Sequence, residues 1–496
     1  MLRGVYLNFG EGLDRERNAA LHRLAEVLLE HPLGGVTDIV PGYTTLYLEY
    51  DARRLDEAKV RRWAERRGEV GAGETRTVEI PVRYDGADLP AIGEQTGLTR
   101  GEIIERHSRG LYHVYAVGFT PGFPFMAEVD EAIRLPRRGA PRKVVPAHSV
   151  AMTGTQTGVY PLPSPGGWHL LGTALTAVYD PYRAEPFLLR AGDRVSFRAA
   201  QGETPPPPER LELLPPEPHT PLFRVHEPGL LDLVVDQGRF LAGRFGLSRS
   251  GPADAPLAGL ANRLLANSAD APLLELTLSG PTLEALRGSV VAFTGWSLTP
   301  LVNGEVQTPF VSFALRRGDL LSFKPTPTGC RSYLAVAGGL ESGRFRGSAS
   351  TDLKGFIGRA LRADDQLGQG SCEAPRPGRS FVPYRRFEKI ETLRLHPGPQ
   401  ASGAALAGLT RQTFTVASAD RVGVRFAGAA VPGGDVISEA TPLGAVQVTS
   451  DGTPILLLHD RGSLGGYAKP AQLHPADLGR AAQLRPGGLV RFVLGT

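Results

Sequence analysis

The chain has 496 residues, 41% hydrophobic and 21% charged, with a formal net charge of +4. Such a length exceeds what one hydrophobic core organises and predicts three or four domains. The small net charge argues against a nucleic-acid-binding surface, and no run approaches the 18 apolar residues of a membrane span. The 61 glycines and 42 prolines point to a fold rich in turns and strands. Cys330 and Cys372 supply neither a disulfide framework nor a metal-ligand spacing. The opening MLRGVYLNFGEGLDRER lacks the apolar core of a signal peptide. Together these features predict a soluble, cytoplasmic protein.

Residues 4–80 read as βαββαβ. Asp14 is placed to cap a helix that aligns Leu21, Leu24, Ala25 and Leu28. Two strands flank the Pro41-Gly42 turn, a second helix covers about Leu55–Arg67, and Thr77–Val82 returns as a strand. That order predicts a ferredoxin-like α/β domain. Next, Thr99 and Glu102 form a capping box in a helical pair that imitates a helix-turn-helix. Without a third helix or a basic face, it carries no DNA-binding expectation.

From Gly118 onward, short apolar runs alternate with Gly/Pro turns, as in barrels or sandwiches. The octads RAGDRVSF (190–197), RRGDLLSF (316–323) and RPGGLVRF (485–492) repeat one turn-plus-strand pattern and suggest three related β units. Between the first two, Gln201–Leu222 holds eight prolines and reads as a stiff spacer. Ser371–Lys389 reads as a second join. Pro252–Leu265 reads as a helix, with Leu257, Leu260, Ala261 and Leu264 on one face.

The stretch Leu135–Thr173 interleaves Gly and Pro with Arg137, Arg142, Lys143, His148, Gln156, Tyr160 and Trp168. Glycine permits close backbone approach and proline stiffens the path. The stretch therefore reads as ordered loops that present amides and cations to a pocket, or else as tight turns between short strands.

No Walker-type loop, Rossmann glycine motif, H-E-x-x-H or G-x-S-x-G occurs. The three methionines, Met1, Met126 and Met152, leave no Met-flanked lysine for biotin, so any biotin would be carried on another chain. The remaining chemistry is one of cations, amides and carboxylates. Arg142, Lys143, Arg359, Arg421, Arg461 and Lys469 suit an anion or a developing oxyanion. Asp352, close to Lys354, and Asp460, beside Arg461, suit water orientation or proton transfer, against the alternative of turn caps and surface ion pairs. His148 and His169 read more readily as structural residues than as bases.

YAVGFTPGFPFM with LPRRGAPRKVVPAHSVAMTGTQTGVYPLPSPGGWHLLGT resembles the allophanate hydrolase subunit 1 family, which includes the B subunit of 5-oxoprolinase and a kinase inhibitor. Residues 222–496, with DQGR, GPADAPLAGLANRLLAN, LELTLSGPTL, AVAGGL, STDL and DRGSLGGYAKPAQL, resemble the allophanate hydrolase subunit 2 family, which includes the C subunit of 5-oxoprolinase. The chain thus looks like a fusion of the two. The family's usual Ser-Asp-Arg-Met-Gly-Tyr is Ala419-Asp420-Arg421-Val422-Gly423-Val424 here.

The resemblance implies an α+β, mainly β fold. A ferredoxin-like domain (1–80) would precede three cyclophilin-like barrels (81–200, 222–385 and 386–496), with a Pro-rich linker at 201–221. It implies a component of an ATP-dependent 5-oxoprolinase, working with a separate protein like that enzyme's A subunit and with Mg2+ accompanying ATP. The alternatives are the carboxyltransferase part of a biotin-dependent urea carboxylase and a non-enzymatic histidine-kinase inhibitor. The expected catalytic set is Asp352, Lys354, Asp460 and Arg461. The expected anion-binding set is Arg142, Lys143, Gln156, Tyr160, Arg359, Tyr467 and Lys469. No metal, nucleic-acid or membrane site is expected, and self-association is left open.

Overall fold

A computed structural model describes residues 2–67, 76–371, 376–382 and 387–495. Cys372 and parts of the join at Ser371–Lys389 lie outside the described residues.

The N-terminal unit is an antiparallel sheet in which Thr45–Asp51 lies between Leu2–Asn8 and Val36–Pro41. Helix Arg15–Glu30 begins where Asp14 accepts bonds from the amides of Glu16 and Arg17. Leu21, Leu24, Ala25 and Leu28 fall on one face and pack with Leu46, Leu48 and Trp63. Among the described residues, this sheet lacks the fourth strand of a ferredoxin-like domain. Thr77–Arg83 instead pairs in parallel with Arg194–Ala199 in the first barrel, where Ile80 and Val82 are fully buried. Alternation along a strand marks one buried face but not the sheet that buries it.

The first barrel closes with seven strands around Val114, Met126, Val150, Met152, Leu171 and Phe197. Helices Leu89–Thr96 and Arg100–Ser108 contribute Ile92 and Ile103 to that core, and the Thr99–Glu102 capping box is present. Inside it, His107 meets the Tyr84 hydroxyl at 2.8 Å and the Thr157 hydroxyl at 2.9 Å. Burial pushes this imidazole down to about 3, so it is a neutral structural group.

The middle unit differs from the expected barrel. A six-stranded and a five-stranded sheet enclose Leu222, Phe223, Leu276, Leu283, Phe293 and Leu334. Helix Ala255–Leu264 lays Leu257, Leu260 and Leu264 against the five-stranded sheet. The C-terminal barrel closes because Ile390–Pro397 bonds to both Leu489–Leu494 and Leu464–Leu473. Asp435–Ala440 joins it as an outer strand. The described residues therefore form two closed seven-stranded barrels, with a two-sheet unit in place of the third. Among the described residues, no helix is long and apolar enough to cross a membrane.

The three octads do share one conformation. Gly192, Gly318 and Gly487 have φ of 92°, 88° and 82°, a left-handed turn that glycine adopts without strain. The following strands bury Val195 and Phe197, Leu321 and Phe323, and Val490 and Phe492. Asp193 and Asp319 close the first two turns, accepting from Arg190 and Arg316 amides at 2.8 and 2.7 Å.

The Pro-rich segment is a packed strap rather than a free spacer. The Leu211 amide donates to the Phe356 carbonyl at 2.8 Å, and Leu213 joins Tyr179, Phe187, Leu247 and Ile357 in a core shared by both halves.

Candidate functional site at the junction of the two halves

The turn after strand Asp232–Val235 places Asp236 in the interior. Its carboxylate accepts bonds from the amides of Gly238 and Ala349 and from the hydroxyls of Ser348 and Ser350 at 2.5–2.9 Å. These bonds hold the loop bearing Arg239 against the loop bearing Asp352. Arg239 is 1% exposed and donates to the Ser350 carbonyl, while its Nε and Nη1 have no partner. Asp352 is fully buried. Its Oδ1 accepts from the Gly355 amide at 2.9 Å and its Oδ2 has no partner.

Burial pushes the Asp352 carboxyl above the usual range, the Arg239 charge opposes the shift, and Asp460 adds to it. A raised carboxyl near an under-bonded guanidinium is suited to proton transfer at an anionic centre.

Beside this pair, Arg421 takes both oxygens of Asp460 at 2.8 and 2.9 Å and also binds Glu275. Burial works against the guanidinium charge, but the two carboxylates outweigh it and hold its pKa above the ordinary value. Asp460 is thus committed to Arg421, which ties the C-terminal barrel to the middle unit. Arg461 turns the other way, donating to the Thr441 carbonyl at 2.5 Å with Nη1 unpartnered. Burial lowers its pKa, countered first by Glu49 and Tyr47 of the N-terminal sheet. Glu49 itself pairs with Arg249 of the middle unit. Burial opposes the Glu49 charge, and Arg249 and Arg461 more than compensate.

A second group lies where the outer strand Asp435–Ala440 touches the N-terminal sheet. Gln156 donates to the Tyr43 hydroxyl at 2.7 Å. Tyr160 packs edge-on against Phe123 in an aromatic cluster that also holds Tyr43, Trp168, Ala440 and Leu464. Burial raises the Tyr160 phenol to about 12. On the other side, Lys469 is fully buried and pairs with Glu439 at 2.9 Å, which also accepts from Gln400 at 2.6 Å. Burial holds the Lys469 ammonium below its ordinary pKa, with Glu439 opposing the shift. Tyr467 is half-buried on the same strand, opposite Asp435. Gly42, next to Tyr43, packs against the Cα of Glu439, so the two sides meet.

Other expected residues lie elsewhere. Lys354 is exposed and acts on Asp352 through its charge alone. Arg142 and Arg138 both bind Asp88 at 2.7 Å, with Arg142 Nη1 left unpartnered. Lys143 is exposed. Arg359 is held by Asp365 at 2.7 Å and by Glu212 of the strap at 3.0 Å, so its charge is compensated within the fold. His148 and His169 bond the Pro206 and Pro136 carbonyls. The expected site sets omit Arg239, Arg249, Glu49, Glu275 and Glu439, although Arg239 stands within DQGR and Glu275 within LELTLSGPTL. Among the described residues, no three His, Cys, Asp or Glu side chains could together hold a metal ion.

Two closed barrels joined through a two-sheet unit, with a buried ionic seam shared across the halves, make a two-module protein, and the family matches place it in the carboxyltransferase-type class. The chain belongs to the family described as carboxyltransferase domain, subdomain A and B, whose model matches residues 245–494. The model for carboxyltransferase domain, subdomain C and D, matches residues 2–189. The N-terminal region is 37% identical over 210 residues to the 5-oxoprolinase B subunit of Bacillus subtilis, covering 39% of this chain and 88% of that protein. The C-terminal region is 31% identical over 267 residues to the 5-oxoprolinase C subunit of Haemophilus influenzae, covering 52% of this chain and 86% of that protein. Urea amidolyase of Lachancea kluyveri is 29% identical over 306 residues, covering 55% of this chain but 17% of that protein. A crystal structure of TTHA0988 is 56% identical and superposes with a TM-score of 0.96, covering 99% of this chain and 100% of that one. The arrangement is that of a B-like and a C-like 5-oxoprolinase module in one chain.

Proposed function

We propose that the chain is the fused B–C component of an ATP-dependent 5-oxoprolinase, converting 5-oxoproline, ATP and water to glutamate, ADP and phosphate together with a separate partner resembling that enzyme's A subunit. The observation that carries this reading is the seam in which Glu49 of the B-like half meets Arg249 and Arg461 of the C-like half. A buried charge network built from both modules makes neither half complete alone, as expected if both act on one substrate.

An unstrained lactam resists water. Phosphorylation of its amide oxygen would supply the leaving group, and such a step calls for cations around a small anion. Arg239 has two unpartnered guanidinium nitrogens for an anionic group, and Asp352 at its raised pKa can hold or release a proton there. Lys469 and Gln156 are the corresponding groups at the outer junction. The donor set suits a carboxylate or a single phosphoryl group. It does not make a nucleotide–Mg2+ cradle.

The test is glutamate and ADP release from 5-oxoproline by the purified chain mixed with its A-like partner. Turnover that requires both proteins and ATP supports the proposal; none from a folded, assembled complex removes it. A carboxyltransferase reading is favoured by the similarity of 55% of this chain to urea amidolyase. It requires a biotinylated carrier on another chain, and calorimetry with free biotin or that carrier separates the two readings.

A further inference from the structure

A cleft of about 730 Å³ opens where the N-terminal sheet, the middle unit and the C-terminal barrel meet, and none of the sequence-derived site residues lines it. Its wall takes Gly35–Thr37 and Arg54 from the N-terminal unit, Phe240, Arg249 and Arg263 from the middle unit, and Leu443 and His459 from the C-terminal barrel. We infer that this three-way cleft is a binding site for a small organic anion, bearing a carboxylate or phosphate on a partly apolar body.

The balance of charge among the lining residues leads there. Arg53 is neutralised by Asp51 at 2.7 Å, Arg249 by Glu49, and Asp236 is enclosed by amides, hydroxyls and Arg344. The side chains of Arg54 and Arg263 make no hydrogen bond or ion pair among the described residues, and both are exposed at the rim. The uncompensated charge of the cleft is therefore positive.

The second observation is His459. It is 7% exposed, neither ring nitrogen bonds to a described residue, and Nδ1 is a buried polar atom without a partner. Buried polar groups are rarely left unmatched unless water or a ligand supplies the bond. Burial, reinforced by Arg421, Arg461, Arg249 and Arg331, keeps the ring neutral. It thus offers one donor and one acceptor.

The remaining wall is largely apolar, with Val235, Ala258, Leu273, Leu443 and Leu478. A cleft of this size, mostly apolar with a few convergent polar groups, has the usual character of a small-molecule site. A ligand seated here touches all three units and resists their separation, so it raises the unfolding temperature of the whole chain. The inference does not rest on the 5-oxoprolinase reading.

Isothermal titration of the intact chain with 5-oxoproline, glutamate, ATP and inorganic phosphate tests it, with thermal unfolding followed in parallel. The carboxylate and phosphate arms identify which anion is taken. Binding of at least one probe at up to millimolar concentration is expected. It should weaken roughly tenfold in Arg54→Ala/Arg263→Ala and again in His459→Leu, and fall with added salt. Arg54 and Arg263 are exposed, so their replacement leaves the fold intact, as circular dichroism will verify. The inference is overturned if no probe binds, or if a probe binds with equal affinity to the intact chain and the double variant.

Discussion

Glu49, in the middle strand of the N-terminal sheet, is ion-paired with Arg249, two hundred residues later, at side-chain exposures of 3% and 7%. Thr37 donates to the same carboxylate at 2.7 Å, and the Arg249 guanidinium lies over the Phe240 ring. The pair is a deeply buried ionic link between the B-like and C-like halves.

Removing one partner of such a pair leaves the other charge buried without its counter-ion. Arg249→Met should destabilise the chain by about 3–5 kcal/mol. Glu49→Leu/Arg249→Met together should cost markedly less than the sum of the single changes. Urea denaturation of the three variants, followed by tryptophan fluorescence, checks this.

At Asp352 the test separates chemistry from folding. Asp352→Asn keeps the shape and the bond from the Gly355 amide but removes the titrating proton. Stability should change by no more than about 1 kcal/mol. Under the proposed function, glutamate release should fall by about a hundredfold or more, in kcat rather than KM. Lys354→Ala, at an exposed position, should lower the rate far less.

Asp232 sets a pH dependence. Its carboxyl accepts the Gly229 amide at 2.5 Å while Oδ1 has no partner, and burial pushes it up to about 7. Between pH about 4 and about 7 the unfolded chain gives up this proton while the folded chain keeps it. The contribution is therefore full below the unfolded pKa and is lost as pH rises through about 7, a change of about 4 kcal/mol. In Asp232→Asn that part of the slope should vanish. Denaturation midpoints from about pH 4.5 to about pH 8, in steps on the order of half a unit, compare the two proteins.

Gly246 is a steric prediction. It sits at φ 77°, and a Cβ there would lie 2.5 Å from the Thr120 carbonyl of the first barrel. The adjacent Phe245 carbonyl accepts the Gly122 amide at 2.8 Å. Gly246→Ala adds a backbone clash to an unfavourable φ and should cost more than about 2 kcal/mol. Limited proteolysis should then cut sooner near residues 118–122 and 243–246.

Much of the local structure could be read directly. Asp14 does cap its helix, Thr99 and Glu102 do form their box, and the three octads do share a glycine turn and a buried Val/Leu-x-Phe strand. Each depends on residues within a few positions of one another, where backbone sterics and side-chain reach decide the outcome. The same local reading assigned Thr77–Val82 to the N-terminal domain, and the resemblance implied a third closed barrel where two open sheets stand. Strand alternation carries no information about the partner sheet or about closure.

Asp352 and Asp460, singled out for proton transfer, and Arg461 and Lys469, singled out as cations for an anion, are all buried, but their grouping was not legible. Sequence could not show that Asp460 is committed to Arg421, that Arg359 is held by Asp365 and Glu212, or that Arg239 and Glu439 complete the two groups.

Turns, caps, the mainly β character and, through the long Gly/Pro motifs, kinship with two families of enzyme subunits follow from residues close together in the chain. How the halves join does not, because the Glu49–Arg249 link, the Asp352–Arg239 neighbourhood and the three-way cleft depend on distances between residues far apart in sequence. Which charges are compensated and which remain free depends on burial and on partners from other units, and both exist only once the units have packed.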